Sequence, residues 1–145
     1  MIPRIMALDY GEKMVGLALS DPLGITAQPL ETIRRETDAQ VASEIEGLAK
    51  AHEVERIIVG LPLNLSGGDS PQTKRTRRFI SRLRKLLDIK VEACDERLSS
   101  SEAERALVEM DVRRSRRKER RDTIAAQLIL QGYLDRRRIE SPEPA

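Results

Sequence analysis

Apolar residues come in short runs whose period changes along the chain. Ile5–Tyr10 is apolar apart from Asp9, and after Gly11 a second apolar run spans Met14–Ser20. Two such runs joined by a glycine predict a β-hairpin, with Gly11 supplying positive φ at the turn. A weaker third strand is expected over Ile25–Ile33, where Pro29 points to a sheet edge because it has no N–H for an inner ladder. From Thr37 to about His52 the spacing turns helical. Val41, Ile45, Leu48 and Ala49 recur at i, i+4, i+7 and i+8, behind Thr37 as N-cap.

Arg56–Gly60 (RIIVG) is a short continuous run, the mark of a strand covered on both faces. A loop rich in Pro, Gly, Asn and Ser, Leu61–Ser70, leads to a helix that begins at Pro71 and has Phe79, Ile80, Leu83, Leu86 and Leu87 as its apolar face. Ile89–Cys94 reads as a fifth strand. Ser99 with Glu102 forms a capping box ahead of Ala103, Ala106, Leu107 and Met110, which predicts another helix. Arg113–Arg121 holds no apolar residue and is expected to be a mobile loop or an exposed helix start. The last helix is expected to open at Asp122 and run to about Arg137, ahead of a polar tail at 139–145.

The order βββαβαβαα predicts a single α/β domain over residues 1–138, and a length of 145 residues agrees with one domain. The first three strands, joined by short turns, form an antiparallel meander. The fourth and fifth, each reached through a helix, run parallel to the first. The expected architecture is a five-stranded mixed sheet flanked by helices.

Composition removes several functions. Tyr10, Phe79 and Tyr133 are the only aromatic residues, which argues against reading single strands by base stacking. One Cys (Cys94) and one His (His52) exclude a disulfide framework and a zinc finger. Cys94 is expected to be packed at a strand end and His52 to lie at the surface. No run is long enough to span a membrane, and Asp9 and Glu12 interrupt any secretory signal, so the expected location is the cytoplasm.

The net charge of +2 conceals a segregation. Acids dominate between Glu31 and Glu55. Lys74, Arg75, Arg77, Arg78, Arg82, Arg84 and Lys85 form a cluster without an acid, and Arg113, Arg114, Arg116, Arg117, Lys118, Arg120 and Arg121 repeat it against Glu119 alone. One such cluster is as well read as a solvated helix face. Two clusters rich in Arg point to a polyanionic partner, because clustered guanidinium groups grip phosphates and release counterions.

Four carboxylates stand where chemistry is expected. Asp9 ends an apolar strand, Asp95 and Glu96 follow the fifth strand, and Asp122 opens the last helix. With strands one and five parallel and adjacent, Asp9 would meet the Asp95–Glu96 pair at the carboxyl edge, where open α/β sheets bind ligands. Converging carboxylates repel unless a cation lies among them, and hard oxygen donors select Mg²⁺ or Mn²⁺. Taken singly, Asp9 also reads as a turn cap, Asp122 as a residue favoured by the helix dipole, and Asp95 and Glu96 as surface ion-pair partners.

Leu8-Asp9-Tyr10-Gly11 with Gly16-Leu17-Ala18-Leu19-Ser20-Asp21 resembles the opening motif of the YqgF family, also called RuvX. Ile58-Val59-Gly60-Leu61-Pro62-Leu63-Asn64 with Gly67 resembles its central motif, and Asp95-Glu96-Arg97-Leu98-Ser99-Ser100 its third. Asp122 with Ala125-Ala126, Ile129-Leu130-Gln131 and Tyr133-Leu134 resembles the fourth. The blocks occur in family order from Ile5 to Leu134. The resemblance implies a ribonuclease-H-like fold, kinship with Holliday-junction resolvases, and a nuclease maturing the 5′ end of 16S ribosomal RNA.

It further implies Asp9, Glu96 and Asp122 as the acidic, metal-holding triad, with Asp95 the rival of Glu96 because adjacent strand residues point oppositely. Two divalent ions would clamp the scissile phosphate, one activating water and one steadying the leaving oxygen. Lys13, Arg97, Arg113, Arg114, Arg116, Arg117 and Lys118 are the candidate nucleic-acid contacts. Met14 departs from the family pattern, which has Arg after the Lys. The expected partner is structured RNA, such as a ribosomal precursor, or branched DNA, bound by a monomer or homodimer without a membrane. Alternatives are a junction resolvase, a binding factor that keeps the fold without turnover, and a phosphotransferase. The last is disfavoured because relatives of that kind need two such domains.

Overall fold

The computed structural model describes residues 2–64, 66–96 and 118–140, the side chains of 118–122 and 139–140 excepted. The helix expected from Ser99 and the segment 113–117 lie outside the described residues.

Strands β1 (Arg4–Tyr10), β2 (Met14–Ser20) and β3 (Ala27–Arg34) are followed by helix α1 (Asp38–Ala51), strand β4 (Val54–Leu61), helix α2 (Pro71–Leu86), strand β5 (Lys90–Asp95) and helix α3 (Lys118–Glu140). The sheet order is β3-β2-β1-β4-β5, with β1–β2 and β2–β3 antiparallel and β1–β4 and β4–β5 parallel. The expected five-stranded mixed sheet is therefore present. Pro29 does lie on an edge strand, beside a register shift between Leu17 and Ala18. Strands β1 and β5 are parallel but not adjacent, contrary to expectation: β4 lies between them.

Strand alternation divides the sheet between two cores. Met6, Leu8, Val15, Leu17, Ile57 and Val59 pack with Val41 and Ile45 of α1 and with Phe79, Ile80 and Leu83 of α2. Ile5, Ala7, Ala18, Ile58 and Cys94 pack on the other face with Ala126, Ile129, Leu130 and Leu134 of α3. The central strands β1 and β4 are thus buried on both faces, as the unbroken run at Arg56–Gly60 implies.

Thr37 caps α1 in a reciprocal box with Gln40, and Ser70 caps α2 in one with Thr73. Leu86, assigned by spacing to the buried face of α2, is 54% exposed. The chain leaves the helix there, and Leu87, expected on the same face, is buried. Gly11 does not take positive φ; Gly24 and Gly67 are the described glycines that do. Glycine is required at 11 because the Gly11 N–H donates to Met14 O at 2.9 Å, and a Cβ would run into that carbonyl. Helix α3 begins four residues before Asp122, so Asp122 lies inside the helix rather than at its start.

Candidate active site

Asp9 is half-buried near the carboxyl end of β1. Its sheet neighbours have no side chains. On β2 it faces Gly16, and the β1–β4 ladder, ending at Leu8↔Val59, brings it level with Gly60. Ile5 and Ala7 of β1 and Ile58 of β4 belong to the core under α3, so Asp9, Gly16 and Gly60 share that face.

Glu96 follows β5, and its carboxylate lies over Gly60. A Cβ on Gly60 would stand 2.6 Å from Glu96 Oε1 and run into Ile129 Cδ1 of α3. Asp95 pairs with Leu61 on β4. Val91 faces the core under α1 and α2, whereas Cys94 faces α3, so alternation turns Asp95 away from the face that holds Asp9. The structure brings Asp9 and Glu96 to one face of the carboxyl edge, on either side of Gly60, and leaves Asp95 on the other.

Asp122 lies on α3 two turns before Ile129, with its side chain outside the described residues. The direction of the helix places it. Gln131 accepts from Ala27 N at 3.0 Å and donates to Ile25 O at 2.9 Å, so the later half of α3 covers the start of β3, at the amino edge of β1. Ile129 covers Gly60, and the residues before it continue toward the carboxyl edge. Among the described residues, no group of three or more His, Cys, Asp or Glu is close enough to hold a metal ion.

Lys13 is exposed in the β1–β2 turn at this edge, where its carbonyl accepts from Arg35 N at 2.8 Å. Arg97, Arg113, Arg114, Arg116 and Arg117 lie outside the described residues, and Lys118 is described only as the first residue of α3.

The residue after Asp9 anchors the strand end. Tyr10 donates to Asp38 Oδ1 at 2.8 Å and stacks on Phe79 with ring centroids 4.1 Å apart. Asp38 also receives Arg82 at 2.8 Å, and Gln72 donates to Tyr10 O at 2.9 Å. These contacts tie the end of β1 to the starts of α1 and α2. Burial, reinforced by the bond to Asp38, pushes the Tyr10 hydroxyl up to about 12.

On the α3 face of β4 and β5, Arg56 donates to Tyr133 Oη at 2.6 Å and pairs with Glu92 at 3.7 Å. Burial works to raise the Glu92 carboxyl, but Lys90 and Arg56 outweigh it and hold it below the usual range. Cys94 is buried, as expected, and its burial pushes the thiol up against the opposing influence of Arg136, whose guanidinium donates to Sγ at 3.1 Å.

Sequence reasoning missed Gly16 and Gly60 as parts of the site. A glycine inside an apolar strand marks a close approach by another group, and two of them flank the Asp-bearing strand. The Tyr10–Asp38 anchor joins residues 28 apart in the chain and leaves no local signal.

The model of the RuvX family, described as Holliday junction resolvase, matches residues 3–136. The chain belongs to the RuvX family. It is similar to a protein of Halothermothrix orenii named "Putative pre-16S rRNA nuclease", with 52% identity over 132 residues covering 91% of this chain and 94% of that one. A Symbiobacterium thermophilum protein of the same name is 49% identical over 140 residues, covering 97% of each. In fold, the chain is similar to Thermus thermophilus RuvC in complex with a Holliday junction substrate, at a TM-score of 0.65 and 12% identity, covering 99% of this chain and 100% of that one. The fowlpox virus Holliday junction resolvase superposes with a TM-score of 0.58 and 13% identity, covering 92% of this chain and 99% of that one. These likenesses establish the ribonuclease-H-like fold of the resolvases. No helix among the described residues is long and apolar enough to cross a membrane.

Proposed function

We propose that this RuvX-family chain is a metal-dependent endonuclease that hydrolyses phosphodiester bonds in structured nucleic acid, with precursor 16S ribosomal RNA as its substrate. The observation that carries the reading is that Asp9 and Glu96 share one face of the carboxyl edge, with Glu96 lying directly over Gly60. The names of relatives at 52% and 49% identity supply the substrate.

The donor chemistry fits a hard divalent cation. Carboxylate oxygens at the edge of an α/β sheet suit Mg²⁺ or Mn²⁺, and no imidazole or thiolate that would favour a softer metal belongs to the proposed set. Asp9, Glu96 and Asp122 would hold it. When bound, such ions polarise a scissile phosphate and lower the pKa of attacking water. The chain's own contributions are positional. Gly16 and Gly60 put no side chain beside Asp9, Gly60 lets Glu96 and Ile129 of α3 lie against the sheet, and the Tyr10–Asp38 bond fixes the strand that carries Asp9. Lys13 stands at the rim to meet phosphate.

Branched DNA is the second reading, favoured by the family's description as Holliday junction resolvase. Cleavage of precursor 16S RNA beside a four-way DNA junction, with Mg²⁺ or Mn²⁺, separates the two. Cutting of the RNA at its 5′ flank is the expected result. Cutting of the junction alone would install the second reading, and cutting of neither would overturn both.

A further inference from the structure

The cations of α2 divide into two sets by their position around the helix. Phe79, Ile80 and Leu83 mark the buried side, together with Thr73 and Thr76. The cations flanking that side bind the body of the protein. Arg77 pairs with Asp69 at 2.8 Å, Arg82 with Asp38 at 2.8 Å, Arg84 donates to Val91 O at 2.9 Å, and Arg75 donates to Gln72 Oε1 at 2.7 Å in the helix's first turn. Lys74, Arg78 and Lys85, at i, i+4 and i+11, lie on the opposite side and are exposed. Ser81 lies between them, and no acid occurs anywhere in the helix. At about 1.5 Å per residue the three span roughly 16 Å.

This ridge has a fixed relation to the candidate active site. Helix α2 starts at the carboxyl edge, where Gln72 donates to Tyr10 O and Thr73 Oγ1 donates to Pro62 O at 2.6 Å. It then runs back toward the amino edge of β4. It covers the face of the sheet opposite to the one that holds Asp9, Glu96 and α3. A polymer that touches both must turn around an edge of the sheet, and the start of α2 beside Tyr10 puts Lys74 nearest the carboxyl edge.

We propose that Lys74, Arg78 and Lys85 form a phosphate track along α2 for the nucleic-acid segment flanking the cleaved bond, and that the substrate bends around the carboxyl edge between track and site. The proposal rests on the nuclease reading and names the surface and the shape of its substrate. The track reads phosphate, so RNA and DNA engage it alike. A substrate already flexible at the bend, such as a bulged or branched duplex, reaches track and site together, whereas a straight duplex does not.

The test is the salt dependence of binding in chelator, so that nothing is cut. The probes are a straight RNA duplex, the same duplex with a central bulge, and DNA versions of both. Each track cation that contacts a phosphate contributes about one to the slope of log affinity against log salt. The triple variant Lys74→Glu/Arg78→Glu/Lys85→Glu should lower the slope for the bulged probes by about 3. It should weaken them several-fold more than the straight ones. Lys74→Gln/Arg78→Gln/Lys85→Gln, which removes charge without reversing it, should lower the slope equally and guards against misfolding of the first variant. An unchanged slope overturns the track and leaves an acidic protein as the partner for this ridge. Equal losses on straight and bulged probes overturn the bend. An unchanged slope with Asp9-dependent cutting intact would reject the track alone. A lowered slope in a protein that cuts nothing would reject the nuclease reading alone.

Discussion

The Glu96 carboxylate occupies space that exists because residue 60 is a glycine: a Cβ there would lie 2.6 Å from Oε1. Gly60 stands on β4, between the strand that carries Asp9 and the strand that leads to Glu96. It sets how closely the Glu96 carboxylate lies against the sheet. The same position is packed by Ile129, so one substitution affects packing and the site together, and a second can separate them.

Gly60→Ala should destabilise the fold by about 1–3 kcal/mol, the usual cost of overpacking, and abolish or sharply reduce cutting. Adding Ile129→Val removes the Cδ1 that the new methyl meets but leaves the Glu96 conflict in place. Thermal denaturation of the double variant should recover toward wild type while kcat stays low. Recovery of both together would show that Gly60 matters only for packing.

Tyr10 carries a pH signature. Its folded pKa of about 12 lies above the ordinary 10.0, so the folded state holds this proton more tightly than the unfolded one. The associated stabilisation is complete below pH 10 and is lost as pH rises through 12. Denaturant unfolding of wild type should weaken across that window, and Tyr10→Phe should show a shallower decline. At neutral pH Tyr10→Phe should cost about 0.5–1.5 kcal/mol through the lost bond to Asp38. Identical alkaline profiles would reject this assignment.

Gln131 ties the edge strand to α3 through Ala27 N and Ile25 O. Gln131→Ala should cost about 1–3 kcal/mol and speed hydrogen exchange at the Ala27 amide. Unaltered exchange there would mean that the edge strand is held without this clasp.

A cation that binds the folded acids raises the melting temperature by mass action. Millimolar Mg²⁺ should stabilise wild type and leave Asp9→Asn and Glu96→Gln unshifted. An equal rise in all three would place the bound ion elsewhere.

Much of this fold was legible from local pattern. The hairpin, the edge position of Pro29, the Thr37 cap and the doubly buried run at Arg56–Gly60 depend on residues close in sequence, and all appear in the structure. What depended on strand order or steric detail was not legible. The insertion of β4 between β1 and β5 comes from long-range pairing, and it made Gly60 rather than a direct Asp9–Glu96 approach the centre of the candidate site. At Gly11 the residue type was read correctly and its reason was not, because a carbonyl approach from Met14 imitates the sequence signal of a positive-φ turn. Lys118–Arg121 has no apolar periodicity, so the pattern leaves it open between a loop and an exposed helix start, and the structure makes it the first turn of α3.

The distinction between Asp95 and Glu96 tests the account most directly. Divalent-metal-dependent cleavage of precursor 16S RNA should be measured for wild type, Asp9→Asn, Glu96→Gln and Asp95→Asn, each first confirmed to be folded. Asp9→Asn and Glu96→Gln should each lose more than about 100-fold in kcat, beyond the range for residues that merely support a metal ligand. Asp95→Asn, on the opposite face, should stay within a few-fold of wild type. Loss in Asp95→Asn with Glu96→Gln active would contradict the site drawn around Gly60.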